Sequence, residues 1–419
     1  MRGLSKKERS WVLYDWANSA YSMTVTSTIL PLYFKNAVHS SGVSEATSTA
    51  YWGYANSIAT LLLALLAPIL GTIADYKGYK KKFFTTFFML GVVCTALLGV
   101  IPSDYWMLLL IFYVITTIGF SGANVFYDAF LVDVTEEERM HKVSTDGFAW
   151  GYIGSTIPFI ICMALIILAQ KNAIPLSVTN ASRLSFVITA LWWGAFTIPM
   201  MKNVHQIFGL EPEDQIVIKS FKRLGNTMKN IKKHKPLFLF LLAYFFYIDG
   251  VGTIIKMATS YGYDLGIGAT DLLIVLLATQ FVAFPCTIIY GKLAQKYGAK
   301  KMISVGIITY ILICIYAIFL KTTLDFWILA MLVGTAQGGI QALSRSYYGK
   351  LVPKENANEF FGFYDIFGKF AAVMGPTLLG LVAQITGKTN LGVFSVIILF
   401  IIGAVIFKFV PGVEESKGV

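Results

Sequence analysis

The chain has 419 residues, 56% of them hydrophobic and only 14% charged, with a mean hydropathy of +0.66. Soluble domains carry about a quarter charged residues, so a soluble globular protein is excluded. The net charge of +11 would suggest nucleic acid in a soluble protein. Here apolar stretches of membrane length recur from end to end, and the charge reports basic loops on one side of a bilayer, so no nucleic-acid partner is expected.

Spans are predicted at 11–35, 50–72, 83–101, 106–131, 147–170, 183–201, 237–261, 270–293, 302–320, 325–346, 360–384 and 391–410. The basic segment Met1–Ser10 precedes an apolar stretch too long and too polar for a signal-peptide core, so the first span is read as retained. Twelve spans put both ends on one side. Most of the 34 Lys and Arg fall in the N-tail, the even-to-odd loops and the C-tail, which predicts a multi-pass protein of the cell membrane with both termini cytoplasmic.

Span 1 is apolar but places Asp15, Asn18, Ser19 and Ser22 at intervals of three and four, on one side of a helix. A carboxylate facing lipid costs about 2.5–3.5 kcal/mol, so this side is expected to meet protein or a water-filled cavity. Asp15 lies about one turn from the inner end, which suits a gate or an anchor. Asn18, Ser19, Ser22 and Thr26 are the expected cavity residues of this span.

Span 2 ends in Gly71-Thr-Ile-Ala-Asp75-Tyr-Lys-Gly78-Tyr-Lys80-Lys81. Span 8 ends, 220 residues later, in Gly291-Lys-Leu-Ala-Gln-Lys-Tyr-Gly298-Ala-Lys300-Lys301. A second echo, Gly147-Phe148 and Gly362-Phe363, is displaced by 215. Similar offsets at two places predict two halves in the same orientation, a parallel repeat about an axis along the membrane normal. The loop glycines permit tight turning and close approach, and Asp75 with the lysines is expected to form a cytoplasmic charge network that breaks when the halves rock.

Between the halves, Val217, Phe221, Leu224, Met228 and Ile231 recur at spacings of four and three, with Lys219, Lys222, Arg223, Lys229, Lys232 and Lys233 on the remaining faces. This predicts an amphipathic helix on an anionic inner leaflet, against the plainer reading of a solvated linker. The domain division is 1–201, a linker at 202–236, and 237–419.

Ionisable residues inside spans mark pathways. Asp249 lies about 18 Å into span 7 at 1.5 Å per residue, near mid-membrane. It is either a protonatable coupling group, since a dehydrated carboxylate retains its proton more readily, or half of a structural ion pair. Lys256 is seven residues further outward. Gln337, Gln341 and Arg345 form a stripe on span 10. Asn124 and Asp128 form a patch near the inner end of span 4, and Asp128 and Arg345 are candidates to join the gate across the halves. Asp365 and Lys369, four apart on span 11, suit a structural ion pair; the alternative is that Lys369 meets an anionic substrate group. Pro31, Pro68, Pro158, Pro199, Pro285 and Pro376 can kink their spans. The four cysteines have no metal-ligand spacing, His39, His141, His205 and His234 fall outside the predicted spans, and neither a nucleophile–base set nor a Walker loop is visible. No metal, cofactor or enzymatic chemistry is expected.

The loop after span 2 resembles the signature of the major facilitator superfamily, matched at Gly71, Asp75, Gly78, Lys80 and Lys81, with Tyr76 and Tyr79 where basic residues are usual. Tyr14-Asp15-Trp16-Ala17-Asn18-Ser19-Ala20-Tyr21, Asp249-Gly250-Val251, Gln341-Ala-Leu-Ser-Arg345-Ser and Glu359-Phe360-Phe361-Gly362 are similar to the vacuole amino-acid effluxer-like branch. The resemblance covers nearly the whole chain. It implies an all-α membrane protein of twelve helices in two pseudo-symmetric six-helix halves, with spans 1, 4, 7 and 10 lining a cavity. Taken with the polar and ionisable residues inside spans, the expected site is Asn18, Ser19, Ser22, Thr26, Asn124, Asp249, Lys256, Gln337, Gln341 and Lys369, with Asp249 as proton-coupling candidate. The expected gate is Asp15, Gly71, Asp75, Gly78, Lys80, Lys81, Asp128, Gly291, Gly298, Lys300, Lys301 and Arg345. The function expected is secondary transport of a small polar or zwitterionic solute, an amino acid moved outward by a monomer, with protons as a coupling partner. A sugar, drug-like or lipid-linked solute, and a transporter-like channel or receptor, are the rival readings.

Overall fold

The computed structural model describes residues 1, 3–229, 234–264, 267–386 and 389–412. Among these residues the regular structure is helical, apart from one isolated bridge between Tyr76 and Leu210. Helix α1 (Lys6–Ala20) opens with a capping box: the Glu8 amide donates to Ser5 Oγ, and the Ser5 amide donates to Glu8 Oε2. It runs without a break into a π-helical stretch, Tyr21–Ile29, and on into α2 (Leu30–Ser40). The π geometry is visible in a side chain: Thr28 Oγ1 donates to the carbonyl of Met23, five residues back, at 2.8 Å.

Then follow α3 (Glu45–Ala74), α4 (Tyr79–Leu98), α5 (Trp106–Ala129), the single turn α6 (Leu131–Val134), α7 (Met140–Gln170) and α8 (Val178–Asn203). A linker carrying α9 (Ile216–Lys229) leads to α10 (Lys235–Asp264), α11 (Ala269–Tyr297), α12 (Ala299–Ile318), α13 (Thr323–Leu351), α14 (Ala357–Thr386) and α15 (Thr389–Lys408). Among the described residues ten helices are long and apolar enough to cross a membrane. Leu61, Leu65, Leu191, Leu312 and Phe394 are more than half exposed, as expected of a surface whose solvent is hydrocarbon. The protein is a multi-pass membrane protein.

Helix packing follows small residues. α1 lies against α7 and α8, and α7 offers it Gly147, Gly151 and Gly154, one small residue per turn. A methyl group at these positions would collide with Asp15, Ser19 and Trp16 respectively. α3 packs on α14, and α7 on α11. Both contacts start at the repeated loops: a Cβ on Gly71 would strike the Asn358 carbonyl, and one on Gly291 the Thr145 side chain. The second glycine of each loop, Gly78 and Gly298, has φ of +86° and +89°, the left-handed region where a side chain is strained.

Three features differ from the sequence reading. α7 begins at Met140, so His141 lies in its first turn, buried, with Nδ1 2.8 Å from Ser346 Oγ. Pro31 sits at the start of α2, whereas Pro68, Pro158, Pro199, Pro285 and Pro376 lie within helices. Ile231, Lys232 and Lys233 of the expected linker helix lie outside the described residues.

Candidate functional site

Arg345, in the last third of α13, is 3% exposed and stitches distant helices together. Its Nη2 donates to Asp15 Oδ2 at 3.1 Å and its Nη1 to Asp128 Oδ1 at 3.0 Å. Nε donates to Ser144 Oγ at 2.9 Å, and Nη2 also reaches the Ser144 carbonyl. The guanidinium lies over the rings of Trp11, Tyr127 and Phe148, its carbon 4.6, 5.4 and 4.4 Å from their centroids. Planar cations stack well on such faces, and Trp11 itself stacks on Tyr127. Side chains of α1, α5, α7 and α13 thus meet at one cation. Gly147 makes room for it, since a methyl there would press on both Asp15 and Arg345.

A second knot forms at the loop after α3. Asp75 is fully buried. Its Oδ1 accepts from the backbone amide and side-chain amide of Asn358 at 2.9 and 3.0 Å, and its Oδ2 from Arg223 Nη2 at 2.7 Å. Arg223 comes from the linker helix α9. It also donates from Nε to Glu359 Oε2 at 3.1 Å and from Nη2 to the Thr72 carbonyl at 2.6 Å. Burial, the largest influence, raises the Asp75 carboxyl to about 7 in spite of Arg223 and Asn358. Three atoms of this knot, Arg223 Nη1, Asn358 Oδ1 and Glu359 Oε1, are buried without a partner.

The lysines of the repeated loops do not join Asp75, which corrects the expected charge network. Lys80 pairs with Asp133 at 2.6 Å, both side chains fully buried, and donates to the Ala129 carbonyl at the end of α5. Asp133 in turn accepts from the amides of Ile207 and Phe208. Lys81 donates to the Val204 carbonyl after α8, and Lys300 to those of Lys408 and Val410 at the end of α15. Their work is to neutralise helix C-termini, where free carbonyls and the dipole favour a cation. Lys301 is exposed. The linker is fastened to the same loop: Lys77 N donates to the Leu210 carbonyl, Leu210 N to that of Asp75, and Gly78 N to Gln206 Oε1. Lys77 pairs with Glu211, and Tyr76 donates its hydroxyl to Glu213.

Nearby, Glu8 accepts from Arg139 Nε and Nη2, from Thr135 Oγ1 and from the Ser5 amide. Burial pushes its carboxyl up, but these donors outweigh it and hold the group at about 2.

Further along the helices lie the expected cavity residues. Asn18 Nδ2 donates to Asn124 Oδ1 at 2.7 Å, tying α1 to α5. Asn124 therefore turns to α1, whereas Asp128, expected to share a patch with it, turns to Arg345. Ser19 packs on Gly151, and Ser22 and Thr26 lie half-buried in and around the π-helical stretch. Asp249 is fully buried on α10. Its Oδ1 accepts from the Gly375 amide at 2.9 Å and from Thr253 Oγ1 at 3.4 Å, and its Oδ2 has no partner. The amide it holds precedes Pro376 in α14, so Asp249 braces a helix where proline removes a ladder bond. Lys256 is exposed. Lys369 Nζ donates to Asp365 Oδ2 at 2.6 Å. Gln341 Nε2 donates to the Gln337 carbonyl, and Gln337 is buried with its own Nε2 unpartnered.

Arg223, Asn358, Asp133 and Ser144 were not among the residues singled out as the site. Arg223 was legible only as one of several basic residues on the linker, and Glu359 only as part of a run. Among the described residues no cluster of His, Cys, Asp and Glu could hold a metal ion.

The family described as "Vacuole effluxer Atg22 like" matches residues 5–417 of the chain. The chain is 65% identical over 417 residues to the MFS-type transporter YxiO of Bacillus subtilis (strain 168), covering 100% of this chain and 97% of that one. Autophagy-related protein 22 of Pichia angusta is 22% identical over 466 residues, covering 97% and 81%. Among solved structures, the human organic anion transporter MFSD10 superposes with a TM-score of 0.71 at 12% identity, covering 96% and 99%. The proton:xylose symporter XylE gives 0.71 at 11% identity, covering 99% and 98%. At such identities the likeness is one of fold.

Proposed function

The chain belongs to the Atg22-like branch of the major facilitator superfamily of transporters, and we propose that it exports a small zwitterionic solute, an amino acid, by alternating access. In this reading twelve helices form two six-helix halves, 1–201 and 237–419, joined by the linker at 202–236. The pairing of Gly71 with Asn358 and of Gly291 with Thr145 supports it, since each repeated loop then packs on the fifth span of the opposite half. The basic residues around both loops favour the cytoplasm of a cell membrane for that face.

The observation that carries the reading is the Arg345 knot. One buried guanidinium joins Asp15 and Asp128 of the first half to span 10 of the second. Such a bond seals the cytoplasmic end in one state and must break in the other; unlike the buried Lys80–Asp133 pair, which stays within the first half, it crosses between the halves. Asn18, Ser19, Ser22, Thr26, Asn124, Gln337 and Gln341 form the polar lining beyond the seal. Asp249, with one unpartnered oxygen, is the group to exchange a proton with the passing solute, and the Asp365–Lys369 pair stands ready to meet solute charge.

The test is counterflow in proteoliposomes with labelled amino acids, with sugars as competitors. Counterflow of amino acids alone is expected, and net uptake is expected to follow an imposed pH gradient in wild type and to be insensitive to it in Asp249→Asn. Exchange of sugars alone overturns the substrate class, and unchanged pH-driven flux in the variant removes Asp249 from coupling.

A further inference from the structure

The linker helix turns Ser220, Arg223 and Thr227 to the protein, with Leu224 packed beside them, and leaves most of its apolar stripe outward. At 100° per residue the side chains of α9 fall into three sectors. Ser220, Arg223 and Thr227 face inward, Ser220 and Thr227 being buried. Val217, Phe221 and Met228 form an apolar stripe about a quarter-turn away, yet they are 53, 51 and 49% exposed, and Ile218 is 64% exposed. Lys219, Lys222 and Lys229 fill the remaining sector, also exposed. No acidic residue occurs between Ile216 and Lys229.

In water alone this arrangement is unfavourable, since it buries hydroxyls while leaving Val217, Ile218, Phe221 and Met228 wet. It is favourable where the outward stripe enters the acyl boundary of a bilayer and the lysines meet negative headgroups. α9 packs on α3, whose Leu61, Leu62, Leu65 and Leu66 are themselves exposed to the apolar medium. The apolar stripe and the uniform positive charge together select an anionic lipid surface over a second protein. On its inward side the same helix carries Arg223, which bridges Asp75 at the end of α3 to Glu359 in the first turn of α14.

We propose that α9 is a lipid-charge-dependent clasp: an anionic leaflet seats the helix through Val217, Phe221, Met228 and its lysines, and this seating holds Arg223 on Asp75 and Glu359. Lipid charge then sets how firmly α3 and α14 are held together. The inference rests on the transporter reading for its orientation, but its test reads no flux, so either can fail without the other.

The experiment is hydrogen exchange of the full chain in nanodiscs of phosphatidylcholine alone and of phosphatidylcholine with phosphatidylglycerol. Amides of 216–229 are expected to exchange at least about tenfold more slowly in the anionic discs, together with those around Asp75 and Asn358. Raising the salt to 1 M shortens the Debye length to about 3 Å and is expected to erase the difference in wild type, with no variant required. Replacing Lys219, Lys222 and Lys229 by Gln should erase it at low salt. Arg223→Gln should keep α9 protected while uncoupling the segments around Asp75 and Asn358. Equal protection in both lipids, a difference that survives both high salt and the triple replacement, or unaltered coupling in Arg223→Gln would overturn the proposal.

Discussion

Replacing Arg345 is the sharpest perturbation of the structure. Arg345→Met removes the guanidinium but leaves Asp15 and Asp128 facing each other beneath Trp11 and Phe148, with no cation in their place. Breaking a buried ion pair by deleting one partner costs about 3–5 kcal/mol, because the remaining charge stays desolvated. Arg345→Lys keeps the charge but not the fork. One ammonium cannot reach Asp15, Asp128 and Ser144 together, and the stacking on three rings is lost, so a cost of about 2 kcal/mol is expected. Combining Arg345→Met with Asp15→Asn and Asp128→Asn removes the charges on both sides and should recover most of the loss. Denaturant titration of purified protein in mixed micelles gives the ordering wild type, triple variant and lysine variant above Arg345→Met. A lysine variant indistinguishable from wild type would show that fork geometry is not used. A triple variant no more stable than Arg345→Met would show that the loss is one of packing and not of charge.

Gly147→Ala should destabilise by about 1–3 kcal/mol, since the added methyl meets Asp15 and Arg345, whereas Gly225→Ala on α9, with nothing within 4 Å, should gain about 0.5–1 kcal/mol. The same titration reads both, and equal shifts would refute the close approach. Lys80→Met should cost about 3–5 kcal/mol by stranding buried Asp133, and Asp133→Asn in that background should restore part of it; no recovery would assign the loss to the lysine's other contact. For Asp75, raised to about 7 in the fold from 3.8, the folded state binds more protons than the unfolded one between those values. Its contribution to stability is therefore present at low pH and lost as pH rises through about 7. Asp75→Asn should flatten the fall measured from pH 5 to 8, and parallel profiles for the two proteins would count against it.

The membrane class and most span positions were legible because hydrocarbon imposes one long apolar run per crossing. The loop glycines were legible because backbone that turns left-handed at Gly78 and Gly298 leaves few other choices of residue. Partner identity was not. Lys80 and Asp133 are 53 residues apart, and Arg223 and Glu359 are 136 apart; neither pairing has a local period to betray it. Asp75 stood out as an acid beside basic residues, but its partners come from the linker and from α14, not from its neighbouring lysines. For α9 the pattern named the apolar stripe and the basic residues beside it, but not that Arg223 turns to Asp75 and Glu359. Periodicity tells which residues share a side, while only packing tells which side the protein takes.

The π-helical stretch Tyr21–Ile29 gives span 1 a property that an unbroken α-helix lacks. In a π turn each carbonyl serves an amide five residues on, and exchanging that bond for the α partner moves the wide turn along the helix without opening it. α1 is pinned by Asp15 and Asn18, while α2 beyond the stretch packs chiefly through Leu30, Tyr33, Phe34, Ala37 and Val38. The wide turn therefore lies between a segment held by polar side chains and one held by apolar packing.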